Sequence, residues 1–328
     1  MRPKVAVVYS EPVSSRYSLL GEQKAVTGVL EAVDAVCRAL PELGYDAARV
    51  PLLPPVGEVR RALKAAGAGL VFNLFEGFCG FPETEALLPR VCAELGLPCT
   101  GCPHHALALS LDKARMKDLL KQQGIPTPDY QLLKPGTVAG FRLAFPCIVK
   151  PETEDGSHGL TTDSVVHDLE ALKKQVALVS SAYGEQALVE EFIGGREVNV
   201  TILGNRALPV SEIIYNLPED APRILTFAAK WSPGSPYYEA TKPVCPAVFA
   251  DGEAGLVQAM AARVYRLAGC RGYARVDMRY DAAGKLYVLE LNPNPDISPE
   301  SGAVRQAAAG GLSYARFIDE IVRLALEA

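Results

Sequence analysis

Several features that would place a chain in a function class at once are missing from these 328 residues. No stretch approaches the roughly 20 apolar residues that a membrane-spanning helix needs, which argues against a membrane protein. Neither sign of charge dominates. The 33 basic and 38 acidic residues leave a net charge of -5, which argues against a nucleic-acid surface and makes no case for a membrane surface. No G-x-G-x-x-G follows the first apolar run, so nothing supports dinucleotide binding. Internal repeats and low-complexity tracts are also absent, which sets aside solenoid architectures. The opening segment MRPKVAVVYSEP has one short apolar run that reads as a strand and is too short for the apolar part of a signal peptide. Eight cysteines behind such an opening fit a reduced interior better than a disulfide scaffold. A soluble, cytoplasmic protein is expected.

One cysteine cluster needs weighing. Cys99, Cys102, His104 and His105 lie close together, with Cys92 just before them, and a C-x-x-C beside histidines can bind zinc. No second ligand pair follows at finger-like distance, and GLPCTGCPHHALALSLDK reads well as a strand end, a turn and a helix. Turn chemistry is the expectation there.

What is present is alternation. Residues 4–9 read as a buried strand, and Val26, Val29, Val33, Val36 and Leu40 mark the apolar face of a helix over 24–42 that stops at Gly44. A strand at Leu70–Leu74, a helix near 84–95 and a short strand at Leu97–Cys99 complete a βαβ series suited to an open parallel sheet. Beyond residue 111 the pattern changes to hairpins mixed with helices. A helix over Asp112–Gln123 ends at Gly124, and a strand ends in Cys147-Ile148-Val149-Lys150-Pro151. One hairpin turns at Gly204-Asn205, and another pairs YARVDMRY with KLYVLELN. Such a mixture reads as α+β modules, and the length suits two or three domains.

Three groups of residues carry chemistry. Asp277 on one strand of the last hairpin, with Glu290 and Asn292 on the other, are oxygen donors that share a face if the register sets Asp277 opposite Glu290. Two carboxylates and an amide oxygen suit a hard octahedral cation that completes its shell with phosphate oxygens. Acidic residues also sit often on solvated strands, but a glutamate inside YVLEL before a proline-rich loop looks placed. Lys150 ends an apolar strand just before the Gly156/Gly159 loop, where free N–H groups can fold over phosphate. Lys113, at a helix start, could meet phosphate or be an ordinary solvated lysine. The run Val189-Glu190-Glu191-Phe192-Ile193 leads through a turn to Glu197, and a strand end of that kind offers backbone groups to an adenine edge; solvent-facing glutamates are the plainer reading.

The order of these pieces resembles the D-alanine–D-alanine ligase branch of the ATP-grasp superfamily. The resemblance is carried by TGCPHHALALSLDKARMK, FPCIVKPETEDGSHG, ALVEEFIGGREVNVTIL, AAKW, GYARVDM and LYVLELNPNP, and it covers roughly residues 96–328. It implies an N-terminal α/β domain (1–103), a central lid (104–189) and a C-terminal α+β domain (190–328), which join a carboxylate to an amine through an acyl phosphate. ATP and two Mg2+ ions, or Mn2+, would be required. By resemblance, Lys113 and Lys150 would bind the ATP phosphates and Ser157 would close over them. Glu190 and the backbone from Glu191 to Ile193 would take adenine, and Glu197 the ribose. Asp277, Glu290 and Asn292 would hold the metal ions, and Arg275 with Lys230 would serve the reacting centre. A homodimer through the N-terminal domain would also be in keeping. Two rivals stay open: a D-alanine–D-alanine ligase itself, and an ATP-binding regulator that forms no amide.

The departures from the family concern substrate. Arg16 stands where a glutamate that engages an amino group is expected, and a cation there would suit a carboxylate instead. Phe75-Glu76 replaces a histidine, Lys230-Trp231 replaces a Lys-Tyr pair, and Asp296 stands at a glycine position. Ser301 keeps the hydroxyl that would bind a second substrate's carboxylate. The expectation is a retained ATP and metal apparatus beside an altered pocket for small-molecule substrates, with an amino acid as at least one of them.

Overall fold

The computed structural model describes residues 2–13, 15–184 and 186–328; the side chains of residues 16, 19, 23, 25 and 26, hence those of Arg16 and Val26, lie outside the described set. The strands Val5–Ser10 (β1), Ala47–Leu52 (β2) and Leu70–Leu74 (β3) form a parallel sheet in the order β2-β1-β3. A middle parallel strand is covered on both faces, which is why VAVVY is apolar throughout. Val5 and Val7 enter one core, Ala6 and Val8 the other. The helix Gln23–Glu42 closes the first core with Val29, Val33, Val36 and Leu40, spaced for one helical face. The same core takes Phe317, Ile318, Ile321 and Val322 from the last helix, Tyr314–Leu326. Both ends of the chain therefore share one core, and Ile297 is buried in it, which anchors the loop after the last strand.

A second sheet joins Tyr130–Leu133 (β4), Cys147–Pro151 (β5), Val165–Val166 (β6) and Ala187–Glu191 (β7) in the antiparallel order β4-β7-β5-β6. The helix Leu169–Tyr183 packs on it through Leu172, Val176 and Val179. The third sheet holds Glu197–Leu203 (β8), Arg206–Ala207 (β9), Ser211–Tyr215 (β10), Thr241–Val244 (β11), Tyr273–Tyr280 (β12) and Leu286–Asn292 (β13), ordered β11-β10-β8-β12-β13 with β9 beside β8.

One irregularity in that sheet matters for the site. Asp277 pairs with Glu290 but Met278 pairs with Val288, so Leu289 is an extra residue in β13. Val288 and Leu291 both enter the core. With strict alternation from Val288, Glu290 would point into that core; the bulge turns it outward.

Two local expectations change. Of the strand expected at Leu97–Cys99, only Cys99 pairs, as an isolated bridge to Val71, because Pro98 has no N–H to give. The helix expected near 84–95 divides into a 3-10 turn at Pro82–Thr84 and a helix at Leu87–Leu95.

The shared core makes a stability prediction. Phe317 is fully buried against Tyr273. Phe317→Ala should cost about 3–5 kcal/mol, read as a lowered urea midpoint. A loss below about 1 kcal/mol would mean that the last helix contributes little to the core.

Candidate active site

A cleft of about 950 Å3, open to solvent, lies between the second and third sheets. It is lined by Lys113, Lys150 and Lys230, by the loop residue Ser157, by the run Glu190–Ile193 and by Glu197. Arg275, Asp277, Glu290 and Asn292 line it from the last hairpin. The register sets Asp277 opposite Glu290 and Arg275 opposite Asn292, so all four side chains share one face. Arg275 grips Asp277 in a two-pronged pair, Nε to Oδ1 at 2.7 Å and Nη2 to Oδ2 at 2.9 Å. Burial opposes the charge on Arg275, but Asp277 outweighs it and raises the guanidinium pKa. Lys113, taken in the sequence as either phosphate-facing or solvated, is buried, 3.2 Å from Glu290 Oε1 and bonded to the Glu154 carbonyl.

Glu190 is almost wholly enclosed, which removes the reading of a solvent-facing strand. Its carboxylate lies between Lys150, at 2.5 Å, and Lys117. Lys117 also donates to Thr127 Oγ1 at 2.9 Å. Burial pushes Glu190 up, but the two lysines outweigh it and hold the group below its usual range. Burial lowers Lys117 to about 8 despite Glu190, with Lys150 adding repulsion. The Glu190 carboxylate is thus bound to lysines. Beyond it, the amides of Glu191 and Phe192 donate to Asp129 and Pro146 carbonyls at 3.0 and 3.1 Å. Among the described residues, Ile193 keeps the amide of that run with no protein acceptor. Glu197 accepts from the Tyr215 hydroxyl at 2.5 Å and from Arg279 Nε at 3.0 Å, while Arg279 Nη1 holds the Ile193 carbonyl at 2.7 Å.

The glycine-rich loop is clasped from two sides. Ser157 sits at φ 65°, a left-handed conformation that costs a non-glycine residue about 1 kcal/mol or more. A Cβ on Gly159 would fall 2.8 Å from the Tyr183 ring, so only glycine fits there. From the N-terminal part, Glu22 meets His158 Nδ1 at 2.6 Å, the Gly159 amide at 3.0 Å and the Tyr183 hydroxyl at 3.1 Å. Tyr17 stacks on His158 at 4.1 Å and donates to Glu154 at 2.6 Å. From the other side Trp231 Nε1 donates to the Gly156 carbonyl at 3.1 Å. The insertion after Trp231 is ordered as a short helix, Pro236–Ala240, leading into β11.

Glu76 and Asp296 border a small hollow beside Val29, Ala32 and Leu74. Asp296 accepts from the Ser298 amide at 2.7 Å and its hydroxyl at 2.8 Å. Glu76 has solvent access, yet the surrounding walls and the charges of Asp155, Asp296 and Glu85 push its carboxyl well above the usual range. Nearby Glu85 is buried and accepts from Asn294 at 2.6 Å. Burial and Asp155 lift it to about 8. Ser301 is buried and caps the helix Gly302–Ala309 by accepting from the Val304 amide at 3.4 Å. It does not line the cleft. Cys102 donates to the Arg271 and Tyr273 carbonyls, and His104 and His105 open the helix His104–Leu111. Among the described residues no three histidine, cysteine, aspartate or glutamate side chains are grouped to hold a metal ion.

Sequence reasoning missed Lys117, Glu22, Glu85 and Arg279. Lys117 could have been found from its four-residue spacing from Lys113 on one helix face, and Arg279 from its alternation with Arg275 and Asp277. Glu22 and Glu85 carry no local signal.

The arrangement of sheets around the cleft is the ATP-grasp fold. A solved D-alanine–D-alanine ligase from Bacillus anthracis complexed with ATP superposes with a TM-score of 0.76 at 20% identity, over 99% of this chain and 98% of that one. Residues 119–323 match the family model described as the D-ala D-ala ligase C-terminus. Together these define an ATP-dependent enzyme that forms carbon–nitrogen bonds. More narrowly, the chain belongs to the D-alanine–D-alanine ligase family: it is 33% identical to the D-alanine–D-alanine ligase of Mannheimia succiniciproducens, over 93% of this chain and 96% of that protein. It is also 36% identical to the uncharacterized protein y4sG of Sinorhizobium fredii, over 80% of this chain and 76% of that one.

Two predictions follow from the geometry. Glu85 has a raised folded pKa, so its contribution to stability is fully present below about pH 4.5 and is lost as pH rises through about 8. Glu85→Gln should therefore gain stability on wild type between pH 5 and 8 in urea titrations; parallel pH profiles would count against a buried, protonated Glu85. Removing the clasp with Glu22→Ala should speed amide hydrogen exchange at 156–160 with little change elsewhere. Unchanged exchange there would mean that the Tyr17 and Trp231 contacts suffice to hold the loop.

Proposed function

We propose that this enzyme joins a carboxylic acid to an amine, with an amino acid as at least one partner, through an acyl phosphate. A carboxylate is a poor electrophile at neutral pH. Attack of its oxygen on the γ-phosphorus of ATP expels ADP and leaves a mixed anhydride. The neutral amine then attacks the carbonyl carbon, phosphate departs and the nitrogen loses a proton. Phosphoryl transfer asks the protein chiefly for positioning and charge neutralisation, and no nucleophilic side chain is required.

The observation that carries this reading is the convergence of Lys113, Lys150, Lys230 and Arg275 on one cleft with Asp277, Glu290 and Asn292. Lys113 and Lys150 bind phosphate in this reading, and the loop around Ser157 covers it. The Ile193 amide, unengaged by the protein, reads the adenine edge in company with its neighbours, and Glu197 meets the ribose. Arg275, aided by Lys230, stabilises the oxyanion formed when the amine adds. Asp277, Glu290 and Asn292 offer hard oxygen donors on one face, a set that fits Mg2+. Metal binding there would exchange the Arg275 and Lys113 partners of the two carboxylates. Bound Mg2+ supplies neutralisation of phosphate charge.

The division 1–103, 104–189 and 190–328 assigns one sheet to each part, with β7 of the lid running two residues past the second boundary. No helix among the described residues is long and apolar enough to cross a membrane. We place the enzyme in the cytoplasm, as a homodimer through its first domain. The names of the relatives favour a second reading, D-alanine dipeptide synthesis; Phe75-Glu76 and Asp296 in the substrate region argue for another pair of substrates.

The test is ADP release with ATP and Mg2+ over a panel of acids paired with amines, with products read by mass spectrometry. Turnover requiring both partners, with a product lighter by one water, is expected. Lys150→Met should lower kcat/KM about 100-fold or more with the fold retained. Dipeptide synthesis from D-alanine with all other acids inert would establish the second reading. ATP binding with no turnover across the panel would speak for a regulator.

A further inference from the structure

Four segments of the cleft wall close on the guanidinium of Arg279. This residue stands on β12 opposite Glu197 of β8, on the face that carries Arg275 and Asp277, and it is buried at the cleft lining. Its Nη1 donates to the Ile193 carbonyl at 2.7 Å, its Nε to Glu197 Oε2 at 3.0 Å and its Nη2 to the Arg223 carbonyl. The guanidinium carbon lies 5.5 Å from the centre of the Phe192 ring and 5.8 Å from that of Tyr215. Ile193 and Arg223 both belong to irregular segments. The first leads into Gly194-Gly195, and the second into Ile224 and Leu225, which line the cleft. No strand ladder fixes either carbonyl, so Arg279 supplies the tie.

The contacts are one-sided. Tyr215 and Arg279 both meet Glu197 at Oε2, and among the described residues Oε1 has no protein partner. Ile193 has its carbonyl taken and its amide unengaged. One planar fork thus leaves an acceptor on Glu197 and a donor on Ile193, both residues of the cleft lining. Burial opposes the charge on Arg279, but Glu197 outweighs it and raises the guanidinium pKa. Stability alone does not call for this pair, since apolar side chains of similar volume often serve a buried site as well. We infer, on the reading that the cleft binds ATP with Glu197 at the ribose, that Arg279 is a positioning residue for the nucleoside. Its fork sets the free oxygen of Glu197 for the ribose hydroxyls and the Ile193 amide for the base edge in one geometry. Tyr215 assists through its bond to Oε2. Lysine cannot replace Arg279, because an ammonium has no rigid fork to hold Ile193 and Glu197 in a fixed relation.

Calorimetric titration with Mg2+ and ADP, compared with 2′-deoxyADP and 3′-deoxyADP, tests this without turnover. Wild type should bind ADP about tenfold tighter than at least one deoxy analogue. Arg279→Lys should bring that ratio close to one, weakening ADP far more than the analogue. Tyr215→Phe removes one of the bonds to Oε2 and keeps the ring, so it should lower the ratio partway. It also serves if Arg279→Lys fails to fold. A role confined to holding the fold would weaken all three nucleotides alike, and a ratio unchanged from wild type in the folded variant overturns the inference while the ribose reading of Glu197 stands. Equal binding of the three nucleotides by wild type would overturn both and leave the ligase reading untouched. No binding of any of them would sink the ATP site, and the inference with it.

Discussion

A charge taken out of water must find a partner, because the uncompensated penalty is several kcal/mol per ion. That constraint organises the cleft. Lys113 meets Glu290, Lys117 and Lys150 share Glu190, Arg275 grips Asp277 and Arg279 clamps Glu197. Each of these cations is held in place by a buried or half-buried carboxylate. Two places escape the pairing. Lys230, held below its usual pKa by burial and then by Arg275, makes no ion pair among the described residues. Glu76, among acidic neighbours, likewise makes no ion pair among the described residues. Lys113, Lys150, Lys230 and Arg275 line the cleft, and Glu76 and Asp296 border the small hollow beside β3. In the proposed reaction the acid and phosphates belong to the cleft.

Packing holds these ends in register. Phe317 and Ile297, from the C-terminal part, lie in the same core as Val5 and Val33, so the loop that carries Asp296 cannot shift against the sheet that carries Glu76. The lid is tied to that body by small polar contacts instead: Glu22 to His158 and Gly159, Tyr17 to Glu154, and Trp231 to Gly156. A dry core fixes the substrate end, and a polar clasp, easier to open, governs the phosphate end.

Much of this was legible in the sequence. The buried run VAVVY announced a parallel strand, the period of Val29 to Leu40 a helix against it, and the paired strands around Asp277 and Glu290 a shared face. Even the bulge has a trace, since Val288 and Leu291 are three apart in a strand that should alternate. Contacts between distant segments left none. Nothing near Glu22 says that His158 lies 2.6 Å away, and nothing near Glu190 says that its carboxylate is shared by two lysines. Strand position alone reads Glu190 as solvent-facing and the family resemblance gives it adenine; the structure pairs its carboxylate with two lysines. Arg16 reads as a cation that suits a carboxylate, and its side chain lies outside the described residues; the small hollow is bordered by Glu76 and Asp296.

The central claim is that the cleft activates a carboxylate by phosphorylation. Hydroxylamine tests it most directly, because it can capture an acyl phosphate whatever the natural amine. With ATP, Mg2+ and a panel of acids, the account predicts a hydroxamate formed in step with ADP for the acid that is the substrate. ADP release with no hydroxamate from any acid, or hydroxamate formed without ATP, would contradict it.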